Sequence, residues 1–246
     1  MRLGTRSVTN AVESLKVRAG DDGIHYLKVG GGRPVLFLHG GACDSQDWVD
    51  AMIALSGECT SYAPDLVGYG QSDNNRDGYR LSDFVECVLK FMDVLDLRDS
   101  VLVGHSLGGR VCLEIALRCP EMLQKIVVVN TAGFSRLARL GDFVATVAWL
   151  VRAIGRQPHP YPRMVKEGTR HGDWLCLDRL PNLNVPALIV WSRGDLYYPL
   201  AGAIKAADLM PKARLEVLPC YGHAPHREQR DRFIRLLRGF VNQDED

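Results

Sequence analysis

Residues 100–114 read SVLVGHSLGGRVCLE. A short apolar run ends at Gly104, and a serine follows two residues later. From Leu107 onward, Leu107, Val111, Ile115 and Cys119 recur at the spacing of one helix face, and Pro120 stops the pattern. The stretch therefore reads as strand, turn, helix, with Gly104-x-Ser106-x-Gly108 in the turn. Glycines two residues to either side let a strand and a helix approach closely around a strained serine. Such a turn lifts the serine hydroxyl above the carboxyl end of the sheet. It also aims the backbone N–H of Leu107 at the same point.

The rest of the chain supports a sheet for this turn to stand on. SLKVRA, the turn GDDG and IHYLKVG predict an N-terminal hairpin, and VLFLHGG predicts a short buried strand ending at His39-Gly40-Gly41. TSYAPDLVGYGQSD combines a weaker strand with a glycine-containing loop. KIVVVN, ALIVW and ARLEVL predict three more strands. Residues 81–95 carry Leu81, Phe84, Val85, Val88, Leu89, Met92 and Leu95 on one helical face. In the tail from Arg227 to Val241, the residues Phe233, Ile234, Leu236, Leu237, Phe240 and Val241 are expected to face inward. Strands alternating with helices predict an α/β fold with a mostly parallel sheet covered by helices.

Residues 133–184 break the rhythm, because no strand-like run occurs there. LARLGDFVATVAWLVRAIG predicts a helix stopped by Gly155, and residues 163–177 a second, shorter one. The expected organisation is a core of residues 1–132 and 185–246 with a short helical lid at 133–184. Phe143, Trp149, Tyr161 and Trp174 are expected mainly in the core of the lid. Arg136, Arg139, Arg152, Arg156, Arg163, Lys166 and Arg170 are either a solvated face or include one partner for a substrate carboxylate.

A serine hydroxyl needs a base near neutral pH. His223 and His226, in CYGHAPHRE, follow the last strand and open on the same sheet edge as Ser106. His223 follows a glycine and is preferred, which leaves His226 a surface or helix-capping role. His105 is expected to point away from the serine side chain. The base needs an anionic partner to set its tautomer. Asp195, after ALIVW, meets this need, whereas the site after KIVVVN carries Asn130 and no carboxylate. The order Ser106, Asp195, His223 is the α/β-hydrolase order. The HGG run at 39–41 places a second N–H donor, from Gly41 or alternatively Ala42, beside that of Leu107 for a developing oxyanion.

Composition narrows the classes. Among 246 residues, 30 Lys and Arg nearly balance 29 Asp and Glu, which gives no pull toward nucleic acid or anionic membrane. Seven cysteines without a Cys-x-x-Cys pair read as reduced core thiols, Cys43 and Cys220 included. The first twenty residues carry no apolar run, so a signal peptide is not expected, and no run reaches the ~18 apolar residues of a membrane span. A cytoplasmic protein acting on a small molecule is expected, with no cofactor. HAPH could suggest a metal pair, but no carboxylate or cysteine at sensible spacing completes a ligand set, so no metal is expected.

LFLHGGACDSQDW, PDLVGYGQSD, VGHSLGG, WSRGD and GHAPH, in that order, resemble the signature blocks of the α/β-hydrolase family. The likeness runs from about residue 24 to the end and is greatest to small microbial esterases, carbon–carbon bond hydrolases and lactonases. The resemblance implies Ser106 as nucleophile, Asp195 as acid and His223 as base. It also implies a structural loop shaped by Asp65, Gly68, Gly70 and Asp73. The expected activity is hydrolysis of a small to medium carboxylic ester. Carbon–carbon bond, enol-lactone or thioester hydrolysis are the alternatives on the same residues. A lyase, a cofactor-free oxygenase and a non-catalytic ligand receptor are the readings from other classes. The serine at the turn argues against dehalogenase and epoxide hydrolase relatives, which carry aspartate there.

Overall fold

The computed structural model describes residues 11–41, 43–76, 78–139, 143, 147 and 174–243. Among these, eight strands form one sheet: β1 (Glu13–Ala19), β2 (Asp22–Gly30), β3 (Arg33–Leu38), β4 (Cys59–Pro64), β5 (Ser100–His105), β6 (Leu123–Val129), β7 (Ala187–Ser192) and β8 (Ala213–Leu218). Their order is β1-β2-β4-β3-β5-β6-β7-β8. The β1–β2 and β2–β4 pairs are antiparallel and every later pair is parallel. The helices are α1 (Val49–Leu55), α2 (Leu81–Val94), α3 (Leu107–Arg118), α4 (Leu200–Leu209), α5 (Pro225–Glu228) and α6 (Arg230–Asn242).

The central strands are apolar without alternation because both faces of the sheet are covered. Every residue of β5 and β7 is buried. Leu102, Val128 and Ile189 point into one core with α2, α3 and α4. Val101, Val103, Val129 and Val190 point into the other, with α1 and α6. On α2 the predicted face is buried at Phe84, Val85, Val88 and Met92, with Cys87 and Phe91 alongside. The C-terminal pattern divides into α5 and α6, and Phe233, Leu237, Phe240 and Val241 are buried as the amphipathic reading requires.

The site is placed by the strand order. β3 lies between β4 and β5, so the crossover after β3 runs to β4 on one side and the crossover after β5 runs to β6 on the other. A crevice opens at the carboxyl ends of strands at such a switch point. Leu38, the last residue of β3, is in register with Gly104 of β5. The His39-Gly40-Gly41 run and Ser106 therefore emerge side by side.

Most of residues 133–184 lies outside the described residues, including most of the proposed lid helices and Arg152, Arg156, Arg163, Lys166 and Arg170, whereas Arg136 and Arg139 are described and exposed. The described margins contain no strand and meet at one place: the Cys176 N–H donates to the Gly133 carbonyl at 3.0 Å. Trp174 packs on the core, whereas Phe143 is exposed. A buried ion network fastens the second margin to α3. Arg110 Nε donates to the Trp174 carbonyl at 2.9 Å, and Glu114 accepts from Arg110 (2.9 Å), Arg179 (2.8 Å) and Arg118 (2.7 Å). Burial alone would raise the Glu114 carboxyl, but these guanidinium groups hold it down at about 2.

No described helix is long and apolar enough to cross a membrane. All seven cysteines are free, and burial pushes the thiols of Cys43 and Cys87 up to about 11 and about 12.

Candidate active site

Ser106 adopts φ +50° and ψ −109°, a conformation that costs about 1–3 kcal/mol for a residue with a side chain. Four backbone and side-chain contacts over-determine it. Its N–H donates to the Val129 carbonyl at 3.0 Å, and its own carbonyl accepts from Ala132 N–H and Arg110 N–H, both at 3.1 Å, and from Thr131 Oγ1 at 3.3 Å. The flanking glycines have steric reasons. A Cβ on Gly104 would lie 2.4 Å from the Gly108 carbonyl oxygen, and one on Gly108 would lie 2.2 Å from that of Leu38. Leu107 begins α3, so its N–H belongs to the first turn, which has no intrahelical acceptor.

His223 Nδ1 donates to Asp195 Oδ2 at 2.9 Å. The carboxylate only accepts, so Nδ1 carries the proton and Nε2 presents a lone pair. The Asp195 side chain is fully buried and His223 is 19% exposed, which leaves the ring reachable from the crevice. Asp195 Oδ1 accepts from the Tyr197 N–H and Oδ2 from Asn130 Nδ2, each at 2.8 Å. Tyr197 covers the His223 ring, with centroids 4.6 Å apart. The sequence reading passed over Asn130 as the strand end without a carboxylate. The signal lay in a polar side chain directly after an almost wholly buried strand, which needs a partner.

His105 joins the pair to the serine turn. Its Nε2 donates to the His223 carbonyl at 2.8 Å, which binds the residue before Ser106 to the loop of the base. As expected, His105 is directed elsewhere than at the serine side chain. It lies buried between His223 and His226, with ring centroids 4.9 and 4.6 Å away, and burial holds its imidazole well below the ordinary histidine range.

The surface role expected for His226 is overturned. Its side chain is buried, stacks on Trp48 with centroids 4.5 Å apart, and its Nε2 donates to Asp47 Oδ2 at 3.2 Å. Asp47 is 179 residues away in sequence, so no spacing argument could have found the pair. Burial works against the Asp47 charge, but the His226 hydrogen bond, with His105 and Arg227, holds the carboxyl far below the usual carboxylate range.

His39 stabilises the neighbouring loop. Nδ1 donates to the Gly40 carbonyl at 2.8 Å and Nε2 accepts from the Leu66 N–H at 2.9 Å, so the buried ring is neutral and both nitrogens are satisfied. Burial lowers its pKa accordingly. Gly41 follows in a turn closed by the Cys43 N–H on the Gly40 carbonyl at 3.3 Å, while Ala42 lies outside the described residues. The Asp65 loop is as the sequence implied. Asp65 accepts from His25 Nδ1 (2.7 Å), Ser45 N–H (2.7 Å) and Gln71 N–H (2.8 Å), and Asp73 accepts from the Gly23 N–H at 2.8 Å.

Known proteins resemble this chain over most of its length. It is 26% identical to a 2-hydroxymuconate semialdehyde hydrolase of Pseudomonas putida, covering 86% of this chain and 88% of that one. It is 29% identical to a pimeloyl-[acyl-carrier protein] methyl ester esterase of Nitrosomonas europaea, covering 86% and 96%. Among solved structures, a meta-cleavage product hydrolase from Pseudomonas fluorescens superposes with a TM-score of 0.78 at 25% identity, over 95% of this chain and 98% of that one. Residues 35–236 match the alpha/beta hydrolase family. That span runs from β3 to α6 and holds every residue of the serine turn and its neighbours: the chain belongs to the alpha/beta hydrolase family.

Proposed function

We propose that the protein is a serine hydrolase acting on a small to medium carboxylic ester through an acyl-enzyme. The observation that carries this reading is the His223–Asp195 pair, with its carboxylate buried and its imidazole reachable, on a loop that His105 hydrogen-bonds to the strained turn of Ser106. His223 Nε2 takes the proton of Ser106 Oγ as that oxygen attacks the ester carbonyl. Asp195 keeps the ring in the required tautomer and stabilises the imidazolium. The N–H groups of Leu107 and Gly41 receive the oxyanion, each worth roughly 3 kcal/mol in the transition state. His223 then protonates the leaving alcohol. In the second half it activates a water that releases the acid and frees Ser106. Residues 133–184 form a lid that shapes the acyl and alcohol pockets. The meeting of its margins at Gly133 and Cys176 supports an insertion there.

The likeness to a 2-hydroxymuconate semialdehyde hydrolase and to a meta-cleavage product hydrolase supports a second reading, hydrolysis of a carbon–carbon bond in a vinylogous diketone by the same residues. Labelling by a fluorophosphonate probe, followed by turnover of p-nitrophenyl esters of graded length and of a ring-cleavage dienoate, tests both. Labelling of the wild type that is lost in Ser106→Ala, with ester turnover, supports the first reading. Dienoate cleavage in preference to esters supports the second, and a wild type that neither labels nor turns over either substrate refutes both.

A further inference from the structure

Asp47 Oδ2, His105 Nδ1 and His226 Nε2 lie within 4.8 Å of one another. The cluster draws on three separate parts of the chain: the loop after β3, the serine turn and α5. His105 gives it its character. Because Nε2 donates to the His223 carbonyl, Nδ1 must carry a lone pair. That nitrogen is buried, has no hydrogen-bond partner, and faces Asp47 Oδ2 at 3.8 Å. Two acceptors thus face each other across a buried gap with no donor between them. Gly40 packs close to His105 Nδ1, where a Cβ would stand 2.7 Å away.

The geometry points to a binding site for a divalent transition cation such as Zn²⁺ or Co²⁺, held by Asp47 Oδ2, His105 Nδ1 and His226 Nε2. Tetrahedral zinc with nitrogen and oxygen ligands at ~2.0–2.1 Å spaces its ligand atoms about 3.3 Å apart. Asp47 Oδ2 already stands 3.2 Å from His226 Nε2 and 3.8 Å from His105 Nδ1. Two imidazoles and one carboxylate select zinc-like cations over Mg²⁺ or Ca²⁺. The outer contacts are those of a metal site: His105 donates its other N–H to a backbone carbonyl, and Asp47 Oδ1 is held by Arg227. A groove of about 710 Å³ lined by Cys43, Asp44, Asp47, His226 and Arg227 leads in from solvent. The cation takes the place of the proton that His226 Nε2 shares with Asp47, and that proton moves to Nδ1, which is buried without a partner. The sequence predicts no metal because no carboxylate or cysteine at sensible spacing completes a ligand set around HAPH. The fold supplies a carboxylate, and it pairs with His226 and His105 rather than with His223.

The test is titration of chelator-treated full-length protein with Co²⁺, followed by visible absorption, and with Zn²⁺ by calorimetry. The expected result is one saturable site without a thiolate charge-transfer band, unaffected by Mg²⁺ and unchanged in Ser106→Ala, so it is independent of the proposed chemistry. His226→Asn and Asp47→Asn, each checked for fold by circular dichroism, should weaken binding at least tenfold, since even outer contacts typically contribute ~10–100-fold. A histidine-selective NMR titration of the wild type with Zn²⁺ gives a readout that needs no variant: ring signals of His105 and His226 should move. No saturable site, a thiolate band, full binding in both variants, or loss of binding in folded His223→Ala would each overturn the proposal.

Discussion

Asn130 donates its side-chain amide to Asp195 Oδ2 at 2.8 Å, the same oxygen that accepts from His223. Asn130 directly follows β6 and is held in turn, because its own Oδ1 accepts from the Ser192 N–H at 2.9 Å. It is a positioning residue for the carboxylate and does not face the crevice chemistry itself. A hydrogen bond to a charged group contributes about 1.5–3 kcal/mol, which corresponds to ~10–100-fold in rate if lost only in the transition state. Asn130→Ala should lower kcat on a p-nitrophenyl ester by that factor and leave KM nearly unchanged. A rise in KM with kcat intact would show that Asn130 acts on substrate binding instead.

Gly108 is required because α3 crosses the end of β3 at backbone contact distance. Gly108→Ala must push the helix or the Leu38 carbonyl aside. Overpacking of this kind costs ~1–3 kcal/mol or more. Urea unfolding should show a lowered midpoint, and fluorophosphonate labelling of Ser106 should slow as the turn shifts. Unaltered stability together with unaltered labelling would contradict the close approach.

Glu114 accepts from three arginines, with Arg110 among the most deeply buried side chains. Glu114→Gln leaves the Arg110 charge without its counter-ion, at a cost of roughly 3–5 kcal/mol. The pH dependence follows from the depressed carboxyl, at about 2 in the folded chain against an ordinary value of 4.5. Because the folded value is the lower one, the stabilisation is present above the unfolded value and is lost as pH falls through the window between them. Wild-type stability should therefore decline between about pH 4.5 and pH 2, and the decline should be shallower in Glu114→Gln. Equal acid slopes for the two proteins would show that the network contributes nothing through Glu114.

The serine turn was legible because its information is local. A strand pattern, a helix pattern and glycines at two fixed offsets together specify one backbone geometry, and Ser106 at φ +50° is that geometry. Asp195 and His223 were legible for a related reason: parallel strands deliver every post-strand loop to one sheet edge, so position after a buried strand is already position near the site. The division of the tail at Gln229 into α5 and α6 was not legible, because the same amphipathic pattern fits one helix or two.

The strand–turn–helix reading, the alternation that builds the parallel sheet and the order Ser106, Asp195, His223 came from the sequence by itself, since periodicity and turn chemistry act over a few residues. Only the tertiary structure decided which polar side chains meet in the interior. Asn130 came to Asp195, His105 to the His223 carbonyl, and Asp47 to His226 across 179 residues. The physical reason is that a buried polar atom must find a partner wherever the fold brings one. That search is carried out in three dimensions, among loops whose proximity is set by the sheet order.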